Sequence, residues 1–269
     1  MLSQLTALKN QWLSQLPENP RLERIWLLAK SEFKKRYYGS FLGVVWAFVN
    51  PLVQLFIYYY IFTVVFKSRT ENFTLFLFLG ILLWTLFVEG STKGLTLIKS
   101  KRYLLENIQI NRLDIYYASL LSTFMGFLFN FTVYLLISLF FDTSPSWEIL
   151  LVPLLLFNLL LFVLGVQILL SVIHVFLNDI LHVWKLSTMV LFWLSGIIFQ
   201  IDPGATWKTL ILSYLTPMFG IIANARAALI YGEGFDWGLF VYDYAYAGLL
   251  LMIALLVQRK YFGRALELL

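Results

Sequence analysis

The chain has 269 residues, 60% of them apolar and 13% charged, against about 45–50% and about 25% in soluble domains. At a mean hydropathy of +0.79 it carries more apolar surface than a water-soluble fold can cover with polar side chains, which excludes cytosolic and secreted soluble enzymes. The net charge of +5 raises nucleic acid as a partner, while zero cysteines exclude disulfides, thiolate zinc sites, thiol catalysis and iron–sulfur clusters.

In chain order, Leu2, Leu5, Leu8, Trp12, Leu13 and Leu16 recur first, at helical spacing among polar residues. No apolar run of signal-peptide length precedes them, so no cleavable leader is expected. A second amphipathic helix starts where Asn19 can cap and Pro20 suits a first turn. Leu22, Ile25, Trp26, Ala29 and Phe33 form its apolar stripe, and Arg24, Lys34, Lys35 and Arg36 stay polar. Residues 1–40 therefore read as cytoplasmic interface helices lying in the membrane plane, basic side towards anionic headgroups, as a plain anchor or as a working surface.

Residues 41–269 read as a transmembrane domain. A hydrocarbon core about 30 Å thick asks for about 20 apolar residues per helix. The stretches 41–66, 73–97, 115–141, 149–177, 183–201 and 239–257 meet that test, which predicts an all-α membrane protein of six spans. Asn50-Pro51 should kink the first of them. Basic residues choose the orientation. Lys9, Arg21, Arg24, Lys30, Lys34, Lys35 and Arg36 precede the first span. Lys93, Lys99, Lys101, Arg102 and Arg112 join spans two and three; Lys185 follows span four, and Arg259, Lys260 and Arg264 close the chain. Only Lys67, Arg69, Lys208 and Arg226 fall on the other side. The positive-inside rule then makes both termini cytoplasmic, and the basic balance is a topology signal, with no nucleic-acid partner expected.

Two connections stand out. The cytoplasmic loop 99–112 is polar and mildly helical over 102–108, suited to docking another protein. The extracytoplasmic segment 202–237 is too apolar for a plain loop. It reads as two helices, 206–214 and 218–231, broken at Thr216-Pro217 and each too short to cross. They form either a re-entrant hairpin or a pair resting on the outer leaflet. Arg226, a lone cation among Ala, Ile and Leu, calls for a buried partner.

No GxxxxGK[ST] loop is present; Gly90-Ser91-Thr92-Lys93-Gly94 has the wrong spacing, so the chain is no ATPase by itself. His174 and His182 lack the companions a metal site needs, and no catalytic triad or paired-carboxylate motif is recognisable. Of the intramembrane polar residues Asn50, Gln54, Glu89, Asn130, Asn158 and Gln167, only Glu89 could serve a proton relay. A secondary transporter or scramblase would need an inverted repeat or several embedded ionisable groups, and an intramembrane enzyme would need clustered acids, whereas Glu89 and Asp114 stand apart.

The stretch from Lys34-Lys35-Arg36-Tyr37-Tyr38-Gly39 through Phe41-Leu42-Gly43-Val44-Val45-Trp46 to Asn50-Pro51-Leu52 resembles the start of type-2 ABC permeases that export polysaccharides. Those proteins carry K-x-R-Y and then L-G-x-x-W-x-x-x-x-P between an interface helix and the first span. Phe176-Leu177-Asn178-Asp179-Ile180, Thr216-Pro217 through Arg226, and Tyr261-Phe262-Gly263-Arg264-Ala265-Leu266 are similar to later family motifs, with Asn178 in place of Arg and Thr216 in place of Asn.

The resemblance implies a homodimer in a bacterial inner membrane, paired with two copies of a separate ABC ATPase that binds the ATP and Mg; no cofactor falls on this chain. It implies a coupling helix from Lys101, Arg102, Tyr103, Leu104, Leu105, Glu106 and Asn107. It also implies a hairpin gate at the outer mouth, where Pro217, Asn224 and Arg226 sit. The implied substrate is an undecaprenyl diphosphate-linked glycan, O-antigen or capsule ahead of teichoic acid, with drug or small-lipid export the nearest rival. Lys34, Lys35 and Arg36 would then meet the diphosphate beside Tyr37 and Tyr38. Asn50, Gln54, Tyr58, Tyr59 and Glu89 would line the channel, although such tyrosines also ring membrane interfaces.

Overall fold

In hydrocarbon every backbone N–H and C=O must be satisfied within the chain, and an apolar sequence meets that demand most directly with helices. The computed structural model describes residues 20–37, 43, 45–65, 72–107, 110–144, 147–199 and 207–269, and every regular element among them is helical. In order these are α1 (Pro20–Tyr37), α2 (Val45–Tyr59, continued by a π segment Tyr60–Val65), α3 (Phe73–Ser100), α4 (Arg102–Asn107) and α5 (Arg112–Ser138). Then come α6 (Val152–Phe176, led in by a 3₁₀ turn Trp147–Leu151), α7 (Ile180–Leu194), α8 (Trp207–Leu215), α9 (Pro217–Arg226, continued by a π segment Ala227–Tyr231) and α10 (Trp237–Glu267). Four helices among the described residues are long and apolar enough to cross a membrane: Phe73–Ser100, Arg112–Ser138, Trp147–Phe176 and Trp237–Glu267.

α3 is the centre. Its residues are buried on nearly every side from Phe73 to Ile98, as expected of a helix apolar all round. α5, α6 and α2 surround it, and α10 lies along α6. Small residues set the closest approach, as membrane bundles require when lipid is as apolar as the core. A Cβ on Gly94 would sit 2.7 Å from Gln167 Cα and 2.8 Å from its carbonyl oxygen, so α3 and α6 touch backbone to backbone there. Polar side chains knit the interior further. Lys93 donates to Thr123 Oγ1 at 2.9 Å, Gln167 Nε2 to Ser119 Oγ at 3.0 Å, and the Tyr116 and Ser171 hydroxyls meet at 2.6 Å. His174 Nδ1 meets the Leu95 carbonyl at 2.7 Å, a satisfied face of α6.

Two expected bounds shift. The stretch 183–201 is helical only to Leu194; a turn follows in which Gly196 takes φ 67°, a backbone state that favours glycine. The last helix passes 257 and runs to Glu267, because Gln258, Phe262 and Ala265 prolong its buried face into the basic tail. The segment 2–16 and the Asn19 cap lie outside the described residues.

α1 is held against α5 by contacts from both of its ends. Arg21 Nε and Arg24 Nη2 reach the two oxygens of Asp114, at the start of α5, at 2.8 and 2.6 Å. At the other end of α1, Phe33 stacks on Phe129, far along α5, with ring centroids 5.8 Å apart. Together these contacts lay α1 against α5 along much of its length. Its apolar stripe divides accordingly. Ala29 is fully buried, while Leu22, Trp26 and Leu27 remain exposed.

Candidate functional site

Two ends of the bundle concentrate its polar chemistry. At the end where α3 finishes and α5 begins, acids and cations pair side chain to side chain. Asp114 is fully buried beneath Arg21 and Arg24. Glu32 on α1 accepts from Lys101 at 2.6 Å, and Arg36 pairs with Glu89 on α3. Lys34, Lys35 and Arg36 all face outward at the end of α1. The Arg36–Glu89 pair joins a residue expected at a substrate portal to one expected in a channel wall. Tyr38 lies outside the described residues, as do the side chains of Tyr37 and Asn50. Gln54 and Tyr59 are exposed on α2, whereas Tyr58 turns inward and tilts on Phe192 of α7 at 5.7 Å.

α4 hangs from this same end with none of its residues buried. Its Arg102 and Glu106 bond each other at 2.7 Å, and Asn107 returns to the Tyr103 carbonyl at 3.0 Å. Tyr103 is 73% exposed, while Leu104 and Leu105 are half-buried towards the bundle. Lys101 precedes α4 and turns back to α1. The outward surface is therefore Arg102, Tyr103, Glu106 and Asn107.

At the opposite end α8 and α9 meet at Thr216, where Pro217 opens α9 as its first helical residue. Thr216 and Met218 share a cavity with Trp84, Phe87 and Leu250, so the break lies well inside the bundle. From there α9 climbs until Arg226 reaches Phe76, near the start of α3. Arg226 is 6% exposed and finds no acid among the described residues. Its Nη1 donates to Gly196 O at 2.7 Å, its Nη2 to Ile197 O at 2.7 Å and Phe76 O at 2.9 Å, and its Nε to Phe76 O at 3.1 Å. The guanidinium also lies 3.3 Å from the Phe76 ring centroid. Gly196 and Ile197 follow the C-terminus of α7, whose carbonyls form the negative pole of that helix. A Cβ on Gly80 would fall 2.7 Å from Nη2, so the guanidinium depends on that glycine for its place. Asn224 clamps the start of α10: its Nδ2 donates to Asp236 O at 3.0 Å, and its Oδ1 accepts from Asp236 N at 2.7 Å.

A family model described as ABC-2 type transporter matches residues 23–230, which takes in every element from α1 to α9. The chain belongs to the ABC-2 type transporter family. Among curated relatives, an O-antigen export system permease protein RfbA of Myxococcus xanthus is 30% identical over 207 residues, 74% of this chain and 77% of the relative. A protein of the same name from Klebsiella pneumoniae is 26% identical over 210 residues, 77% of this chain and 80% of the relative. As an ABC-2 permease the chain is a transport component rather than an enzyme, and permeases of this family work with an ABC ATPase.

Within this ABC-2 permease, the sequence singled out Arg226 and Asn224 but not their partners, which are backbone carbonyls and the capping residue of α10. Two acids prove buried: Asp114, which the sequence marked only as standing apart from Glu89, and Asp243, which it did not mark at all. Asp114 sits beside the basic loop, and its position one turn from the Asn111 cap of α5 could have marked it as an acceptor for the arginines of α1. Asp243 is fully buried on α10 against Gly220 of α9, and its carboxyl oxygens have no hydrogen-bond partner among the described residues. Nothing in the pattern Tyr242-Asp243-Tyr244 marks that burial.

Proposed function

We propose that this ABC-2 permease is the membrane subunit of an ATP-driven exporter that moves a lipid-linked polysaccharide, O-antigen or a related surface glycan, out of the cytoplasm. The relatives' printed names support the cargo class. The observation that carries the mechanism is α4, a helix with no fully buried residue, held between the central helix α3 and α5 at the basic end. The positive-inside bias places that end, with both termini, in the cytoplasm of a bacterial inner membrane. There Arg102, Tyr103, Glu106 and Asn107 are offered to the ATPase as a coupling surface. Movement of α4 passes directly into α3 and, through Lys101 and Glu32, into α1.

In this reading two copies of the chain enclose the channel. Trp46, Val53, Phe56 and Ile57 on α2 and Val183, Leu186, Met189 and Trp193 on α7 leave a broad apolar face exposed beside Gln54 and Tyr59. That face meets the second copy and the surrounding lipid. α2 with its π continuation and α7 complete six spans. α8 and α9 form a re-entrant hairpin that closes the outer mouth, with Arg226 fastening it to α3 and α7. Lys34, Lys35 and Arg36 attract the diphosphate of the carrier lipid at the cytoplasmic side, where cations are favoured near anionic headgroups. ATP and Mg are held by the two ATPase subunits.

The reading is tested by co-expressing the chain with the ATPase encoded beside it. The two should co-purify, and alanine at Arg102, Tyr103 and Glu106 together should abolish glycan export while membrane insertion is kept. Glycan export by the chain with no ATPase present would contradict it.

A further inference from the structure

A cavity of about 590 Å³ opens beside α9 at the hairpin end, within the ~300–1,000 Å³ range of small-molecule sites. Phe199 and Phe219 stand on one side, Glu233 and Asp236 on another, and Gly196 and Gly234 contribute bare backbone. A Cβ on Gly234 would meet nothing within 4 Å, so the approach past the turn is open.

The wall is built before any ligand arrives. Asn224 holds the backbone of Asp236 from both sides, and one Asp236 carboxyl oxygen accepts Leu239 N at 2.9 Å to cap α10. Arg226 lines the back of the cavity, yet carbonyls already take its N–H groups on Nε, Nη1 and Nη2. Preorganisation of this kind removes ordering costs from binding.

Its chemistry selects by what it offers. Among the described residues the wall carries two carboxylates, Glu233 and Asp236, against one cation, Arg226, so the cavity is net negative, presents acceptors and apolar faces, and is a poor host for phosphate. Its carboxylates fall short of the ligand count a divalent ion needs, and no group of three acidic or histidine side chains suited to a metal occurs among the described residues. A ligand with several hydroxyl donors and a flat C–H face satisfies both halves of the wall: its hydroxyls meet charged acceptors, which make stronger hydrogen bonds than neutral ones, and its ring lies on the aromatic side. We propose that this cavity is a sugar-binding subsite that takes one neutral pyranose unit at the hairpin end, with Glu233 and Asp236 accepting its hydroxyls and Phe199 and Phe219 flanking its ring. The proposal rests on the glycan-export reading and deepens it: an exported chain would be held on the far side of the hairpin, which opposes its slipping back.

The test is saturation-transfer NMR on the full chain in lipid nanodiscs, with methyl glucoside, methyl galactoside, methyl mannoside and N-acetylglucosamine as probes and inorganic phosphate and calcium as controls. At least one sugar should take up saturation, and the signal should fall at least fivefold both in Glu233→Ala, an exposed position, and in Ala223→Trp, which fills the cavity. Arg259→Ala, exposed in the basic tail at the other end, should leave it unchanged. No transfer to any sugar, transfer that survives both variants, or a response to calcium or phosphate alone would overturn the subsite. Export of glycan by the wild-type chain with its ATPase is measured separately: its failure sinks the functional reading, whereas export combined with sugar-blind nanodiscs sinks this inference only.

Discussion

The two ends of the bundle hold their charges in opposite ways. At the basic end Asp114, Glu32 and Glu89 are met by cationic side chains from another helix, each a contact between flexible arms. At the hairpin end Arg226 is met by three carbonyl oxygens of fixed backbone and by the Phe76 ring. Paired side chains can part and re-form as helices slide, and reversing their charges restores them. A cation seated on backbone has no such freedom, because no substitution can supply the missing half. We expect movement at the basic end and α1, about a rigid fulcrum at Arg226, the last residue of α9.

The largest effect is expected at the fulcrum. Arg226→Met leaves the Gly196 and Ile197 carbonyls without its donors, a loss of about 2–6 kcal/mol at about 1–3 kcal/mol for each unsatisfied buried group. Thermal unfolding in detergent should show a large drop that Arg226→Lys does not fully restore, since an ammonium cannot fork across three acceptors. Gly94→Val comes next. Its side chain meets the Gln167 backbone as well as the Gln167 Cγ, and overpacking of this kind costs about 1–3 kcal/mol; a cross-link between α3 and α6 positions should report the widened gap. Asp114→Asn should cost about 1–2 kcal/mol by depriving two charged hydrogen bonds of their acceptor's charge. It should also expose α1 to limited proteolysis while the rest of the bundle resists. Smallest is the exchange Glu32→Lys with Lys101→Glu: each single variant should lose about 0.5–1 kcal/mol, and the double variant should recover most of it. A double variant no better than either single would show that these side chains do not bind α1 to the coupling segment, and would blunt the contrast between the two ends.

The helices were largely legible in the sequence, and for a physical reason: apolar length and the break at Thr216-Pro217 are local properties of a chain that must satisfy its own backbone. α3, α5 and α6 begin and end close to where hydropathy places them. What periodicity could not carry was which elements meet. The stripe of α1 does not say which helix it meets, and its contacts Asp114 and Phe129 lie far off in the chain. The same holds for the site residues. Arg226 announced a need for a partner, but carbonyls have no letter in a sequence, and Gly80, which makes room for its guanidinium, looks like any other small residue in a span. Asp243 is silent for a related reason, since its neighbours Gly220 and Asn158 come from helices far away in the chain.

The account turns on transmission from an exposed helix to a membrane path, and reconstitution tests it most directly. The chain and its ATPase, purified together into liposomes loaded on one leaflet with lipid-linked glycan, should move that glycan across on addition of ATP and Mg. Cutting the Lys101–Glu32 link should leave ATP hydrolysis in place while slowing movement. Glycan crossing at the same rate without nucleotide, or with α4 stripped of its outward side chains, would contradict it.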